Sequence, residues 1–163
     1  VEQVPAADLG DWMEAVRRKS GGRRIVFVAA GHSAVWVLRA VHAWRQRHGK
    51  GAADPTAGAV LLYPILYRNL EPGKPPQYDR LVSDTPIHAV VVQPASSAGY
   101  WWREQLKAAM EAAGSRVSIE ILPGVRDVYY RRADASPRER WEAERLGKTL
   151  RAAMRPLLER EQR

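Results

Sequence analysis

Residues 25–35 read Ile25-Val26-Phe27-Val28-Ala29-Ala30-Gly31-His32-Ser33-Ala34-Val35. The first six are continuously apolar and partly β-branched, the pattern of a strand covered on both faces. After Gly31 the period changes. Ala34, Val37, Val41 and Trp44 recur at i, i+3, i+7 and i+10, which places them on one helical stripe, and Gly49 closes the run. A buried strand that passes through a glycine and a serine straight into a helix is the entry to a β-α crossover, and the rest of the sequence is read outward from it.

Upstream, Leu9, Trp12, Met13 and Val16 predict a helix that ends at Ser20-Gly21-Gly22. Downstream, Ala59 to Tyr63 predicts a second strand, and Tyr67 to Asp84, with Pro72-Gly73-Lys74-Pro75-Pro76 inside it, predicts an irregular excursion. Loops longer than about 12 to 15 residues are uncommon in compact domains unless they are functional or disordered, so its Pro-rich part from Arg68 to Pro76 reads as a lid or partner-binding loop. Ile87 to Val92 predicts a third strand. Trp102, Leu106, Ala109, Met110 and Ala113 mark one face of the helix after it, with Gly114 as its C-terminal cap. Val117 to Leu122 alternates Val117, Ile119 and Ile121 with Ser118 and Glu120, which predicts a fourth, more exposed edge strand. Ser136, Pro137 and Glu139 form a capping box with proline at the first helical position, opening a last helix whose stripe is Leu146, Leu150, Ala153, Met154 and Leu157. Strands separated by helices imply right-handed crossovers. The predicted fold is α/β: three layers, a mainly parallel sheet of about four strands with helices on both faces, and a single domain over residues 1–163.

Composition narrows the class of function. The 163 residues hold no cysteine, 45% are apolar and 27% charged, and 26 Lys plus Arg face 18 Asp plus Glu for a net charge of +8. A disulfide scaffold and a thiolate zinc site are excluded, and the chain is not of disordered composition. No apolar run approaches the ~20 residues of a membrane span. Absence of cysteine fits a soluble protein of cytoplasm or periplasm alike. The charge is carried mainly by arginine spread along the chain, which fits either arginine-rich coding or attraction to a polyanion; without clustering, nucleic acid is not the favoured partner. The chain opens on Val1 rather than methionine, so it is expected to be processed or part of something longer.

In an open parallel sheet, ligands bind at the carboxyl ends of the strands. The candidates there are Gly31, His32, Ser33 and Ala34 after the first strand, Ser96 after the third and Asp127 after the fourth. A serine on a strand-to-helix turn is lifted above the sheet, where the next backbone N–H and the helix N-terminus can stabilise an oxyanion. Asp127 is read either as a ligand-facing acid or as a loop residue that caps local N–H groups. The aromatic-basic clusters Tyr100-Trp101-Trp102 and Tyr129-Tyr130-Arg131-Arg132 are read mainly as packing. No His-rich, paired-carboxylate or phosphate-loop motif is present, so no metal and no cofactor is implied.

Gly31-His32-Ser33, together with the order helix, strand, turn, helix, strand, excursion, strand, helix, strand, helix from about Leu9 to Leu158, resembles the C-terminal half of an α/β-hydrolase domain. That resemblance implies Ser33 as nucleophile, and implies that the four strands are the fifth to eighth of the family's eight. It also implies an acid after the third strand and a histidine after the fourth. Neither is there: the third strand runs into Gln93-Pro94-Ala95-Ser96-Ser97-Ala98-Gly99, and the fourth into Leu122-Pro123-Gly124-Val125-Arg126-Asp127. Val35 departs from the small residue expected two positions after the serine, and His32, His42, His48 and His88 are poorly placed to take its proton. The expectation is a catalytically degenerate domain serving as a binding or structural module. The alternatives are a serine esterase or acyl hydrolase using Ser33, and a basic polyanion-binding domain. The strand at residues 25–30 would be central in the full fold and is an edge here, so an upstream segment, a separate chain or a second copy is expected to cover it.

Overall fold

The computed structural model describes residues 6–49, 55–71 and 74–159. In chain order the elements are α1 (Ala6–Lys19), β1 (Ile25–Ala30), α2 (Ser33–His48), β2 (Thr56–Leu62), β3 (Tyr67–Asn69), β4 (Gln77–Tyr78), α3 (Arg80–Asp84), β5 (Ala89–Pro94), α4 (Arg103–Ala112), β6 (Val117–Leu122), α5 (Pro137–Glu144) and α6 (Leu146–Leu158). Four of the strands form one all-parallel sheet in the order β1-β2-β5-β6. The fold is therefore α/β with the expected three layers.

The two-residue period of the strands divides the core. Phe27, Ala29, Ala59, Leu61, Ala89 and Val91 face a layer built from Met13 of α1, Val37 and Val41 of α2, Val82 of α3, and Leu106 and Met110 of α4. Val60, Leu62, Val90 and Val92 face the other way, onto Ala153 and Leu157 of α6 and Tyr129. Every residue of β2 and of β5 is buried. At about 1.5–3 kcal/mol per fully buried aliphatic side chain, the valines and leucines of these two strands make a large contribution beside those of the helices packed on them.

Gly58 is what lets the layers close. Its φ is 152°, and a Cβ built there would lie 2.6 Å from the His88 carbonyl oxygen and 2.8 Å from Leu157 Cδ2. Only glycine fits at that point.

Several boundaries differ from the sequence reading. β2 starts earlier and stops before Tyr63, which takes a left-handed φ of 37°. The third parallel strand begins two residues later than expected and runs to Pro94, because the Ile87 N–H bonds to the Ser115 side chain rather than to a neighbouring strand. The excursion is not irregular throughout: β3 and β4 form a small antiparallel hairpin, and α3 follows, capped by the Asp79 carboxylate accepting from the Leu81 N–H at 3.0 Å. Pro72 and Gly73 lie outside the described residues, as does Val1. A short 3₁₀ turn, Ala98–Trp102, precedes α4. The last helix is two helices. The capping box opens α5, and the apolar stripe belongs to α6 beyond a break at Arg145.

β6 is an edge strand, as its alternation predicts, although Ile121 is exposed rather than tucked inward. β1 is the other edge. Its inner face is packed, but Val28 on the opposite face is 47% exposed, so the strand that reads as covered on both sides is covered fully on one. No described helix is long and apolar enough to cross a membrane.

Candidate functional site

The carboxyl ends of β1, β2, β5 and β6 converge on one polar and aromatic region. Gly31 follows β1 directly, with a φ of +55° and its N–H donating to the Leu62 carbonyl at 2.9 Å. Its own carbonyl accepts from the Ile65 N–H at 3.1 Å and the Ala34 N–H at 3.3 Å. Gly31 is thus the apex of the strand-to-helix turn. His32 comes next with ordinary right-handed helical angles, and Ser33 is the first residue of α2; both are exposed, while Ala34 is buried. Among the described residues only Tyr63 and Val128 adopt positive φ without being glycine, so the backbone of Ser33 is unstrained. In a nucleophile elbow the serine itself occupies the sharp, strained position. Here glycine occupies it. Shifting the small-x-apex-x-small window two residues upstream gives Ala29-Ala30-Gly31-His32-Ser33, with small residues at both ends.

The volume above Gly31 is filled. A Cβ at this position would lie 3.2 Å from the Tyr63 ring and 3.8 Å from Ile65 Cδ1. The Tyr63 hydroxyl bonds to that of Tyr130 at 2.6 Å, which ties the end of β2 to the loop after β6. Burial, the Tyr130 hydrogen bond and the nearby charge of Asp127 all push the Tyr63 phenol well above its ordinary range. Tyr129, fully buried, packs edge-on against Tyr130 with ring centroids 5.4 Å apart, its hydroxyl unbonded and pushed up to about 12, chiefly by burial.

Asp127 sits in this group. It is part-exposed, yet its Oδ1 is buried without a hydrogen-bond partner. Burial raises its pKa, and a hydrogen bond from Ser97 acts in the opposite direction. The Ser97 hydroxyl has one hydrogen and two acceptors to choose from, since the Pro94 carbonyl also lies 2.9 Å away. That hydroxyl in turn accepts from Nε2 of the buried Gln93. Ser96 is exposed and enters only through its backbone N–H, which donates to the Val125 carbonyl at 3.0 Å. Of the sequence candidates, Gly31 packs beneath Tyr63 and Asp127 acts on the same phenol through its charge, whereas His32, Ser33 and Ser96 are exposed. Tyr63, Ser97 and Gln93 lie beside them but were not singled out from sequence, and Tyr130 was named only in an aromatic-basic cluster read mainly as packing.

The loop carrying Asp127 is pinned by its neighbour. The Arg126 guanidinium donates from Nε and Nη2 to the two oxygens of Glu139 at 2.8 Å each, and from Nη1 to Asp134 at 3.0 Å. Glu139, 1% exposed, also accepts from the Ser136 N–H in the capping box and from the Arg126 N–H. The Arg126 hydrogen bonds and that of Ser136 hold the Glu139 carboxyl far below the usual range; Asp134, bonded to Arg132 and Arg126, is lowered to about 2.

Among the described residues no histidine is hydrogen-bonded to Ser33, and three of the four are engaged elsewhere. His42 bonds to Gln46 and Thr85 on the α2–α3 side, His48 pairs with Glu14 at 2.7 Å, and the His88 ring accepts from the Arg116 N–H at the amino end of the sheet. Among the described residues no three acidic or histidine side chains cluster so as to hold a metal ion.

No family model matches the sequence, and no curated protein matches it. Solved structures do. A vibralactone cyclase aligns over 94% of this chain and 57% of its own, with a TM-score of 0.60 and 13% identity. A carboxylesterase from Lactobacillus plantarum aligns over 93% and 65%, with a TM-score of 0.58 and 14% identity. A hormone-sensitive lipase from a metagenome library aligns over 89% and 61%, with a TM-score of 0.58 and 15% identity. The chain has an α/β-hydrolase fold. It spans roughly three fifths of the length of these hydrolases, and identities this low speak for the fold and not for the reaction.

Proposed function

We propose that this chain is an α/β-hydrolase-fold module that does not itself hydrolyse esters, and that it acts by binding at the carboxyl end of its sheet and by assembly through β1. The observation carrying the first half is Gly31 at the apex of the turn, beneath the Tyr63 ring. With no side chain at the apex there is nothing there to attack a carbonyl, and Ser33, two residues past it, has no hydrogen bond to a base among the described residues. A fluorophosphonate probe is expected to leave the chain unlabelled. Labelling that disappears in Ser33→Ala would instead establish the alternative, a serine esterase or acyl hydrolase with Ser33 as nucleophile.

The second half is supported by the open β1 edge and the exposed Val28, and by the 57 to 65% of the three hydrolase chains that this chain covers. A parallel strand supplied by a complementary segment, in the same or another polypeptide, would satisfy the free row of β1 backbone groups and cover Val28. Solution mass and amide exchange test it. A stable monomer exchanging readily across residues 25–30, indifferent to the complementary segment, rejects the assembly role.

A further inference from the structure

We propose that the outward face of α6 docks the protein on an anionic phospholipid surface. The inward face of this helix is fixed by packing: Leu146, Leu150, Ala153, Met154 and Leu157 lie against the layer that holds Val60 and Val90. What points away is therefore fixed too. Arg145, Lys148, Arg151 and Arg155 recur at i, i+3, i+6 and i+10, and Leu158 follows at i+13, so they share one arc of a helix about 20 Å long. Lys148, Arg151, Arg155 and Leu158 are exposed, and Arg145 is partly so. Charge that the sequence spreads along the chain is gathered here by the fold.

The chain does not neutralise this face. On α4 each cation meets a carboxylate of the same helix, Arg103 with Glu104 at 3.5 Å and Lys107 with Glu111 at 3.9 Å. On α6 Arg155 meets Glu159 at 3.2 Å, but among the described residues no carboxylate lies within ion-pair distance of Arg145, Lys148 or Arg151. Glu139 and Glu142 of α5 are buried and taken up by Arg126 and Arg138, which leaves Glu144 and Glu159 as the exposed acids of residues 137–159. Trp141 organises the near end of the stripe. The guanidinium carbons of Arg138 and Arg145 lie over its ring, 4.5 and 4.3 Å from the centroid. A guanidinium laid on an indole keeps its N–H edge for a phosphate oxygen. The indole itself is 43% exposed, and Leu158 at the far end is 50% exposed. Cations in a row between an indole and a leucine match the headgroup layer, where cations meet lipid phosphate while aromatic and aliphatic side chains enter the interface. A single nucleic acid strand would call instead for a basic groove with ring faces open to its bases. Here the ring carries guanidiniums, and the stripe runs along the convex side of a helix.

The test is co-sedimentation of the full chain with vesicles of phosphatidylcholine alone and of phosphatidylcholine with about one-third phosphatidylglycerol. Binding to the anionic vesicles only, weakened by added salt, is expected. The triple variant Arg145→Gln, Lys148→Gln, Arg151→Gln is expected to weaken it about a hundredfold, each cation at the surface being worth about a factor of five. The pair Lys148→Gln, Arg151→Gln, at exposed positions where glutamine keeps the helix, should retain the fold and lose about twentyfold. A control removes the same charge elsewhere: Arg18→Gln, Lys19→Gln, Arg23→Gln, exposed at and just beyond the end of α1, should stay within about threefold of the parent. Leu158→Ser is expected to cost about fivefold. Equal binding to neutral vesicles, binding to neither, no loss in the exposed pair, or equal loss in the two triple variants overturns the proposal. Displacement of the chain from the vesicles by a single-stranded RNA at equal phosphate concentration also overturns it, and gives the face to nucleic acid. Unaltered affinity in Leu158→Ser overturns the apolar part of it.

Discussion

Two carboxylates in the segment after β6 have opposite surroundings. Glu139 is buried and accepts from a guanidinium and two backbone N–H groups. Asp127 is part-exposed, leaves one oxygen without a partner, and lies among phenols rather than arginines. The first is what a carboxylate looks like when it holds a loop in place. The second keeps one oxygen that no described group of its own chain completes, so it does not serve the loop as Glu139 does.

The largest effect expected from breaking that contrast is at the frame. Glu139→Ala leaves Arg126 and the start of α5 without their common acceptor, and should cost about 3 kcal/mol or more in urea unfolding. A loss below about 1 kcal/mol would show that the pair is decorative. Next comes Ser97→Ala. It removes the acceptor of a buried Gln93 donor, for an expected loss of about 1–3 kcal/mol. Acid titration sharpens the comparison further. The Glu139 carboxyl is lower in the folded chain than in the unfolded one, so its contribution is complete above the ordinary glutamate range and is lost as pH falls below it. Asp127 has the opposite sign: its raised pKa makes protonation favour the folded state. Stability measured from pH 7 to pH 3 should therefore fall less steeply in Glu139→Gln than in the parent, and an identical slope would remove Glu139 from the account. The smallest expected effect is that of Asp127→Asn at pH 7, an unchanged or slightly raised Tm, since it deletes a half-buried charge with no ion-pair partner among the described residues. A clear loss of stability there would make Asp127 part of the frame after all.

Much of the architecture was legible because it rests on periodicity. The strand at residues 25–30, the stripes of α2, α4 and α6, and the capping box at Ser136 all follow from local pattern, although the exposure of Val28 does not. The break at Arg145 was not, since an apolar stripe continues past it. Nor was the apex. Gly31-His32-Ser33 directs attention to the serine, and only the position of the positive φ moves it to the glycine. The misfit of Val35 in the serine-centred window, and the alanines at 29 and 30, were the available clues. Asp127 could be named because it stands in the loop where the resemblance expects a histidine. Tyr63 and Ser97 could not, because they come from the ends of other strands and meet this loop only when the parallel sheet aligns those ends.

The two edges of that sheet differ in a way that bears on polymerisation. β1 is apolar throughout with Val28 uncovered, while β6 interposes a part-exposed Glu120 near the exposed Ser118 and Ile121. A filament needs each copy to offer both a donor edge and an acceptor edge that fit each other. A half-covered valine strand opposite one marked by serine and glutamate does not make such a pair, so growth of the sheet beyond β1 should stop after a single addition.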